Sequence, residues 1–332
     1  MLKKTTSWAA SALLAFTLGA PLHASEKPFN LDIPEQTIAA GSTGGSWYII
    51  STALFDLYKD HIGGLRYNIV PGGGVANPIS VQSKKVGIAM GYTTTLHAAY
   101  SGAAPYETPM TDLRAVANLN MTNVLHPFFL AEVPADSLKE LGEKQLRLRI
   151  DTGTRGTGGE LAASRALTAH GAGYGDIRGW GGAVSHSAYS EAMDRMKDGH
   201  IDAFVNDDII RNPTFVDLTL ARDVKLLPLS QTTIDELADK YGYSPTIIPA
   251  GSYRNQDEDI PTISQHNVVF AHKDTPEELV YAMVKLMFEN KARLVEAHPL
   301  FRDLDVQKGA QGFPIPLHPG AERYFREVGT LN

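Results

Sequence analysis

The sequence predicts an α/β fold made of two α/β lobes. Three observations lead there. Short apolar strands alternate with helical patterns, glycine-rich loops follow the strands, and the same order of elements occurs twice. A helix after each strand supplies the crossover that parallel strands need. Loops at the carboxyl ends of such strands are where open α/β sheets bind ligands.

The first half opens with Ile38-Ala39-Ala40, a short apolar strand that runs into Gly41-Ser42-Thr43-Gly44-Gly45. Trp47, Ile50, Leu54 and Leu57 then recur at spacings of three and four, which predicts a helix with one apolar face. Arg66 to Val70 reads as the next strand, ending in Pro71-Gly72-Gly73-Gly74. A helix is expected over Asn77 to Ser83, and Val86 to Met90 reads as a third, buried strand.

The second half repeats this order. Leu146 to Ile150 is a strand ending in the loop Gly153 to Gly159, and Glu160 to His170 is a helix. Asp176 to Arg178 reads as a short strand before Gly179-Trp180-Gly181-Gly182. Ala188 to Lys197 is helical with Gly199 as its stop, and Ile201 to Val205 is the third strand. Ser42 and Val86 lie 44 positions apart, Gly156 and Ile201 45 apart, so the two halves echo each other. The C-terminal part is helical. Thr275-Pro276-Glu277-Glu278 reads as a capping box, and Leu279, Met283, Leu286 and Met287 form an apolar core stripe.

Composition narrows the function. The 332 residues are 43% hydrophobic and 20% charged, ordinary for a globular chain of about two domains. A net charge of -7 lacks the basic excess of a nucleic-acid binder, so no nucleic-acid partner is expected. The absence of cysteine removes disulfides, thiolate metal sites, cysteine nucleophiles and lipid-modified N-terminal cysteines. Lys3 and Lys4, an apolar stretch from Trp8 to Leu22 and the small residue Ala24 form the pattern of a secretory signal, residues 1–24. An exported chain with no lipid anchor is retained near the cell by an outer membrane, which points to the periplasm.

The loop Gly41 to Gly45 is the first candidate site. Glycines allow close backbone approach, and a helix start presents unpaired N–H groups with partial positive charge. Ser42 and Thr43 add hydroxyls, so the loop suits a carboxylate or phosphate, or else is a tight turn with a helix cap. The loop Gly153 to Gly159 repeats these features and adds Arg155, whose guanidinium can grip a carboxylate through two bonds. Neither loop is a P-loop, because no Lys-Ser or Lys-Thr follows the last glycine. Gly-x-Ser-x-Gly and His-Glu-x-x-His are absent, and His186 and His200 read as surface residues. No enzyme, cofactor or metal is therefore expected. Asn206-Asp207-Asp208 follows a strand end, where it either holds a cation or a substrate ammonium or is simply solvated.

Five stretches in order resemble one family. Ile38 to Tyr48, Pro71 to Asn77, Met196 to Phe204, Ile248 to Tyr253 and Pro314 to Ala321 are similar to the signatures of the TAXI-type solute receptors of TRAP transporters. The resemblance implies a type II periplasmic binding-protein fold: two lobes joined by a hinge, closing on a ligand in the cleft between them. It implies residues 25–130 with 265–332 as one lobe and 131–264 as the other. Hinge strands are expected near Leu125–Ala131 and Thr262–Ala271. It further implies a small organic anion as ligand (a dicarboxylate, a 2-oxo acid such as 2-oxoglutarate, or an acidic amino acid such as glutamate), delivered to a gradient-driven TRAP membrane permease. One ligand per monomer is expected.

Carried over by position, Ser42, Thr43, Gly44, Gly45 and Tyr48 match the first ligand loop, and Gly74 and Asn77 fall in the second. Thr93 and Thr94 follow the third strand, and Thr157 and Gly158 match the second-lobe loop beside Arg155. Trp47 replaces a usual tyrosine, Gly74 a common serine and Gly159 a small hydroxyl residue. Asn206-Asp207-Asp208 and Arg211 stand where the family has small residues. A cleft facing Asp207 and Arg211 would favour a ligand carrying both charges, such as an amino acid. An ATP-driven importer's receptor or a sensor subunit shares this fold and stays open as an alternative.

Overall fold

The computed structural model describes residues 28–43 and 45–331; the expected signal, residues 1–24, and Gly44 lie outside the described residues. In the first half Gln36–Ala39 pairs in parallel with both Tyr67–Val70 and Ile88–Tyr92. In the second half Arg149–Asp151 pairs in parallel with both Ala183–Ser185 and Ala203–Asp208. The echo in the sequence is thus an echo in topology, with the first strand central in each half. Each third strand then meets a long strand antiparallel: Ile88–Tyr92 meets Ile260–His272, and Ala203–Asp208 meets Leu113–Leu130. The two long strands pair with each other, so one ten-stranded sheet runs through both halves of the molecule.

These long strands serve two cores. Leu113 to Met121 packs with the first half, whereas Val124 to Leu130 packs with the second. The return strand switches the other way: Ile260 and Ile263 belong to the second core, and Val268 to Ala271 to the first. At the switch the apolar pattern is interrupted by Thr122-Asn123 on one strand and Ser264-Gln265-His266-Asn267 on the other. Their pairing register also shifts between His266 and Val268 and again between Val269 and Phe270.

Helices cover the sheet where the apolar periodicity predicts them. Ser46–His61 buries Trp47, Ile50, Leu54 and Leu57. Glu277–Glu289 buries Leu279, Met283, Leu286 and Met287. Three local expectations are corrected. Residues 176–178 are not a strand but part of the helix Tyr174–Gly179, because Asp176 accepts the Gly173 N–H and fixes a helix start; the strand comes later, at Ala183–Ser185. The capping box at Thr275 does not form, because its hydroxyl donates to the Gly87 carbonyl while Arg323 holds Glu278. The acidic pair does not follow a strand; Ala203–Asp208 includes it, and both carboxyls are buried.

Phe270 shows how tightly the sheet and core are fitted. Its ring is fully buried and lies so close to Gly91 that a Cβ there would come within 2.8 Å of the ring. Phe270→Ala is expected to cost about 3–5 kcal/mol of stability. Chemical denaturation should show an earlier midpoint at an unchanged slope; a shift below about 1 kcal/mol would contradict this packing.

Candidate ligand site

The first loop leads into the helix Ser46–His61 through a turn in which the Gly45 N–H donates to the Ser42 carbonyl, 3.0 Å. Asn77 holds this loop to its neighbour. Its Nδ2 donates to the carbonyls of Ala40 and Met90, both at 2.8 Å, and its Oδ1 accepts the Gly73 N–H at 2.9 Å. One buried amide therefore ties two glycine loops to the end of the third strand. In the second half Thr157 caps the helix Gly158–Ala169, accepting the Glu160 N–H at 3.2 Å.

The two sets of loops touch across the cleft. The N–H groups of Val75 and Ala76 both donate to the Gly156 carbonyl at 3.1 Å. The Tyr92 ring lies directly on Gly158, where a Cβ would come within 2.3 Å of it. No other residue than glycine permits that approach.

At the centre stands the acidic pair. Asp208 reaches across to the first lobe, where Ser46 Oγ donates to its Oδ1 at 2.6 Å and the Ser46 N–H points at Oδ2 from 3.5 Å. The Ile209 N–H and Asn212 complete its donors at 2.7 and 3.0 Å. Asp207 accepts from Gln265 Nε2 at 2.6 Å and from the Tyr92 hydroxyl at 3.2 Å. A chain of donors runs on from there. Asn123 donates to Tyr92, Asn267 to Asn123 and the Trp47 indole to Asn267, at 2.7, 2.8 and 2.5 Å. Asn123, Gln265 and Asn267 come from the polar interruption of the two long strands.

A cavity of about 30 Å³ remains between the lobes, room for one or two waters. Gly41, Ser42, Gly45, Ser46, Trp47, Gly73, Gly74, Tyr92 and Asn123 line it from one side, and Thr157 to Gly159, Tyr189 and Asn206 to Asp208 from the other. No lysine, arginine or histidine is among these residues. Burial accordingly pushes the Asp207 carboxyl up to about 7, with Asp208 adding to the rise against the Gln265 donor. Burial likewise raises Asp208 to about 6, opposed by its Ser46, Ile209 and Asn212 donors.

Of the residues singled out in the sequence, Ser42, Gly45, Gly74, Thr157, Gly158 and Asp207 line this cavity. Thr43 is exposed, Tyr48 is half-buried along the helix, and Asn77 is wholly inside as a clamp rather than at the surface of the cavity. Thr93 and Thr94 line a separate cavity of about 510 Å³ with His97, Arg165 and Tyr241, although Thr94 also donates to Gln265. Arg155 is exposed on the outside of its loop, between glycines at φ 75° and 80°. Arg211 does not face Asp207: its guanidinium donates to the Gly251 carbonyl and lines another cavity. The sequence reading missed Ser46, Tyr92, Asn123, Tyr189, Gln265 and Asn267. Tyr92 was within reach, because it ends a parallel strand.

With this geometry in place the relatives can be compared. Residues 38–329 match the NMT1-like family, and the chain belongs to it. The structure is similar to that of Rpa4515 from R. palustris with adipate, at 16% identity and a TM-score of 0.52, covering 89% of this chain and 95% of that one. It is similar to MatC from Rhodopseudomonas palustris with bound malate, at 14% identity and 0.51, covering 90% and 98%. PhnD1 from Prochlorococcus marinus in complex with methylphosphonate matches at 12% identity and 0.51, covering 89% and 99%. The fold is that of the type II periplasmic binding proteins. Among the described residues no helix is long and apolar enough to cross a membrane.

Two outcomes test the site. Asn77→Ala leaves two carbonyls and an N–H without their partner and should cost about 1–3 kcal/mol, read by denaturant unfolding; an unchanged midpoint would contradict the clamp. The raised carboxyls imply a pH effect of definite sign. The folded protein holds protons there that the unfolded chain releases near 3.8, so their contribution is present at low pH and lost as pH rises through about 6 to 7. His126 and His318, held down to about 3 and about 4 by burial, act in the opposite sense on the acid side. The parent should therefore lose stability relative to an Asp207→Asn, Asp208→Asn double variant between about pH 4 and 7. Parallel stability curves for the two would contradict it.

Proposed function

We propose that the chain is an exported, periplasmic solute receptor that captures a small organic molecule between its lobes. The observation that carries this is the central cavity. Glycine loops and helix starts from both halves converge on it, and residues of both halves are needed to close it. The cavity as it stands has room for one or two waters, so a solute would enter with the lobes further apart and, by touching both, stabilise one lobe spacing over the others. Lobe rotation would be taken up where the two long strands change core, at Thr122-Asn123 and Ser264 to Asn267. The lobes would then be residues 25–130 with 265–332, and 131–264. The TAXI-like signatures favour delivery to a gradient-driven TRAP permease. A carboxylate-bearing solute fits the helix start at Gly158 and Gly159, and the adipate and malate in the two R. palustris neighbours favour that class.

The test is a thermal-shift panel on the chain from residue 25, stripped of ligand by unfolding and refolding. It holds dicarboxylates, 2-oxo acids, amino acids, sugars and nucleotides. A cognate solute at about 100 times its Kd should add roughly 2.7 kcal/mol and raise the midpoint by several degrees. Stabilisation confined to organic acids or amino acids is expected. A response only to sugars or nucleotides would sink the proposed class.

A further inference from the structure

We infer that the cleft selects a solute carrying a primary ammonium group, received by the Asp207–Asp208 pair, over a carboxylic acid that lacks one. The inference rests on the receptor reading and names its solute more narrowly. The helix start of the first lobe, the seat expected for a ligand carboxylate, is already filled by the carboxylate of Asp208 through Ser46. Asp207 stands beside it with its donors supplied by Gln265 and Tyr92. Both side chains are 2% exposed, and the cavity lining holds no cationic group to offset them. The two arginines that the sequence suggested for the cleft do not help, because Arg155 is exposed and Arg211 is engaged with Gly251.

A dicarboxylate or 2-oxo acid entering here would bring further negative charge against two buried carboxyls, at a steep electrostatic cost. An ammonium group reverses the sign of that interaction. It offers three donors to the Asp207 oxygens, which accept from Gln265 and Tyr92 and retain free lone pairs, while Asp208, already met by Ser46, Ile209 and Asn212, contributes its charge. One carboxylate on the same solute still has a place. The second helix start, at Gly158 and Gly159, lines the cavity, and no hydrogen bond from its first two N–H groups occurs among the described residues. The complementary solute is therefore an amino acid rather than a diacid.

Calorimetric titration of the chain from residue 25 tests this with matched probes. These are L-2-aminobutyrate, L-glutamine and L-glutamate, each beside its 2-oxo acid, with malate, adipate, ammonium chloride and potassium chloride. At least one amino acid should bind more than about 100-fold tighter than its 2-oxo acid. Asp207→Asn should bring that ratio below about 10-fold, and Asp208→Asn supplies the same comparison if the first variant does not fold. A 2-oxo acid or diacid binding as tightly as its amino counterpart would overturn the inference and leave the receptor reading standing. Saturable heat from ammonium or potassium chloride alone would also overturn it, marking an inorganic cation site. Silence from every organic acid and amino acid would remove both readings together.

Discussion

Two carboxyls are buried side by side where the lobes meet, with no cationic residue among the described residues that line the cavity, and much of the surrounding architecture serves to make that tolerable. A carboxylate removed from water must have its lone pairs met or must keep a proton. Here both responses occur. Ser46, Asn212 and the Ile209 N–H surround Asp208; Gln265 and Tyr92 surround Asp207; and both acids are shifted toward neutrality. The donors come from the first helix, the third strand, the return strand and the turn after the pair itself. Any change in lobe separation alters several of these bonds together, because Ser46, Tyr92 and Gln265 do not belong to the same element as the acids they hold.

The polar belt on the long strands follows from the same constraint. A strand that leaves one apolar core for another must cross the boundary between them, and at the boundary an apolar side chain would have no core to join. Asn123, Gln265 and Asn267 occupy those positions and turn the crossing into the floor of the cleft. Asn267 links the Trp47 indole to Asn123, which in turn supports the Tyr92 hydroxyl. The crossing of the two long strands and the base of the candidate site are thus built from the same few residues.

The outline of the fold was legible because its signals are local. Apolar strands, glycine loops and the helical stripe at Trp47, Ile50, Leu54 and Leu57 each fall within a short window, and their repetition exposed the two halves. The loops Gly41 to Gly45 and Gly153 to Gly159 were identifiable for the same reason. What could not be read was which partner each loop meets. Asp207-Asp208 reads locally either as a seat for a cation or ammonium or as a solvated pair, since nothing nearby in sequence announces that Ser46, some 160 positions away, supplies a donor to Asp208. Arg155 and Arg211 show the converse error. Their charge suggested a role in the cleft, yet Arg155 is exposed and Arg211 donates to the Gly251 carbonyl. The short helix Tyr174–Gly179 was misread as a strand because three residues carry too little periodicity to separate the two.

The position of Trp47 gives the molecule a built-in optical gauge. The chain has only three tryptophans, and Trp8 falls within the segment expected to be removed on export. Trp180 lies partly exposed in the second lobe, capping the end of Tyr174–Gly179. Trp47 alone is packed against Tyr92, donates to Asn267 at the register shift of the return strand, and faces the acidic pair across the cavity. Its emission wavelength and quenching therefore depend on how far apart the lobes stand. A change in lobe separation would be a spectroscopic quantity, readable in dilute solution without attaching a label.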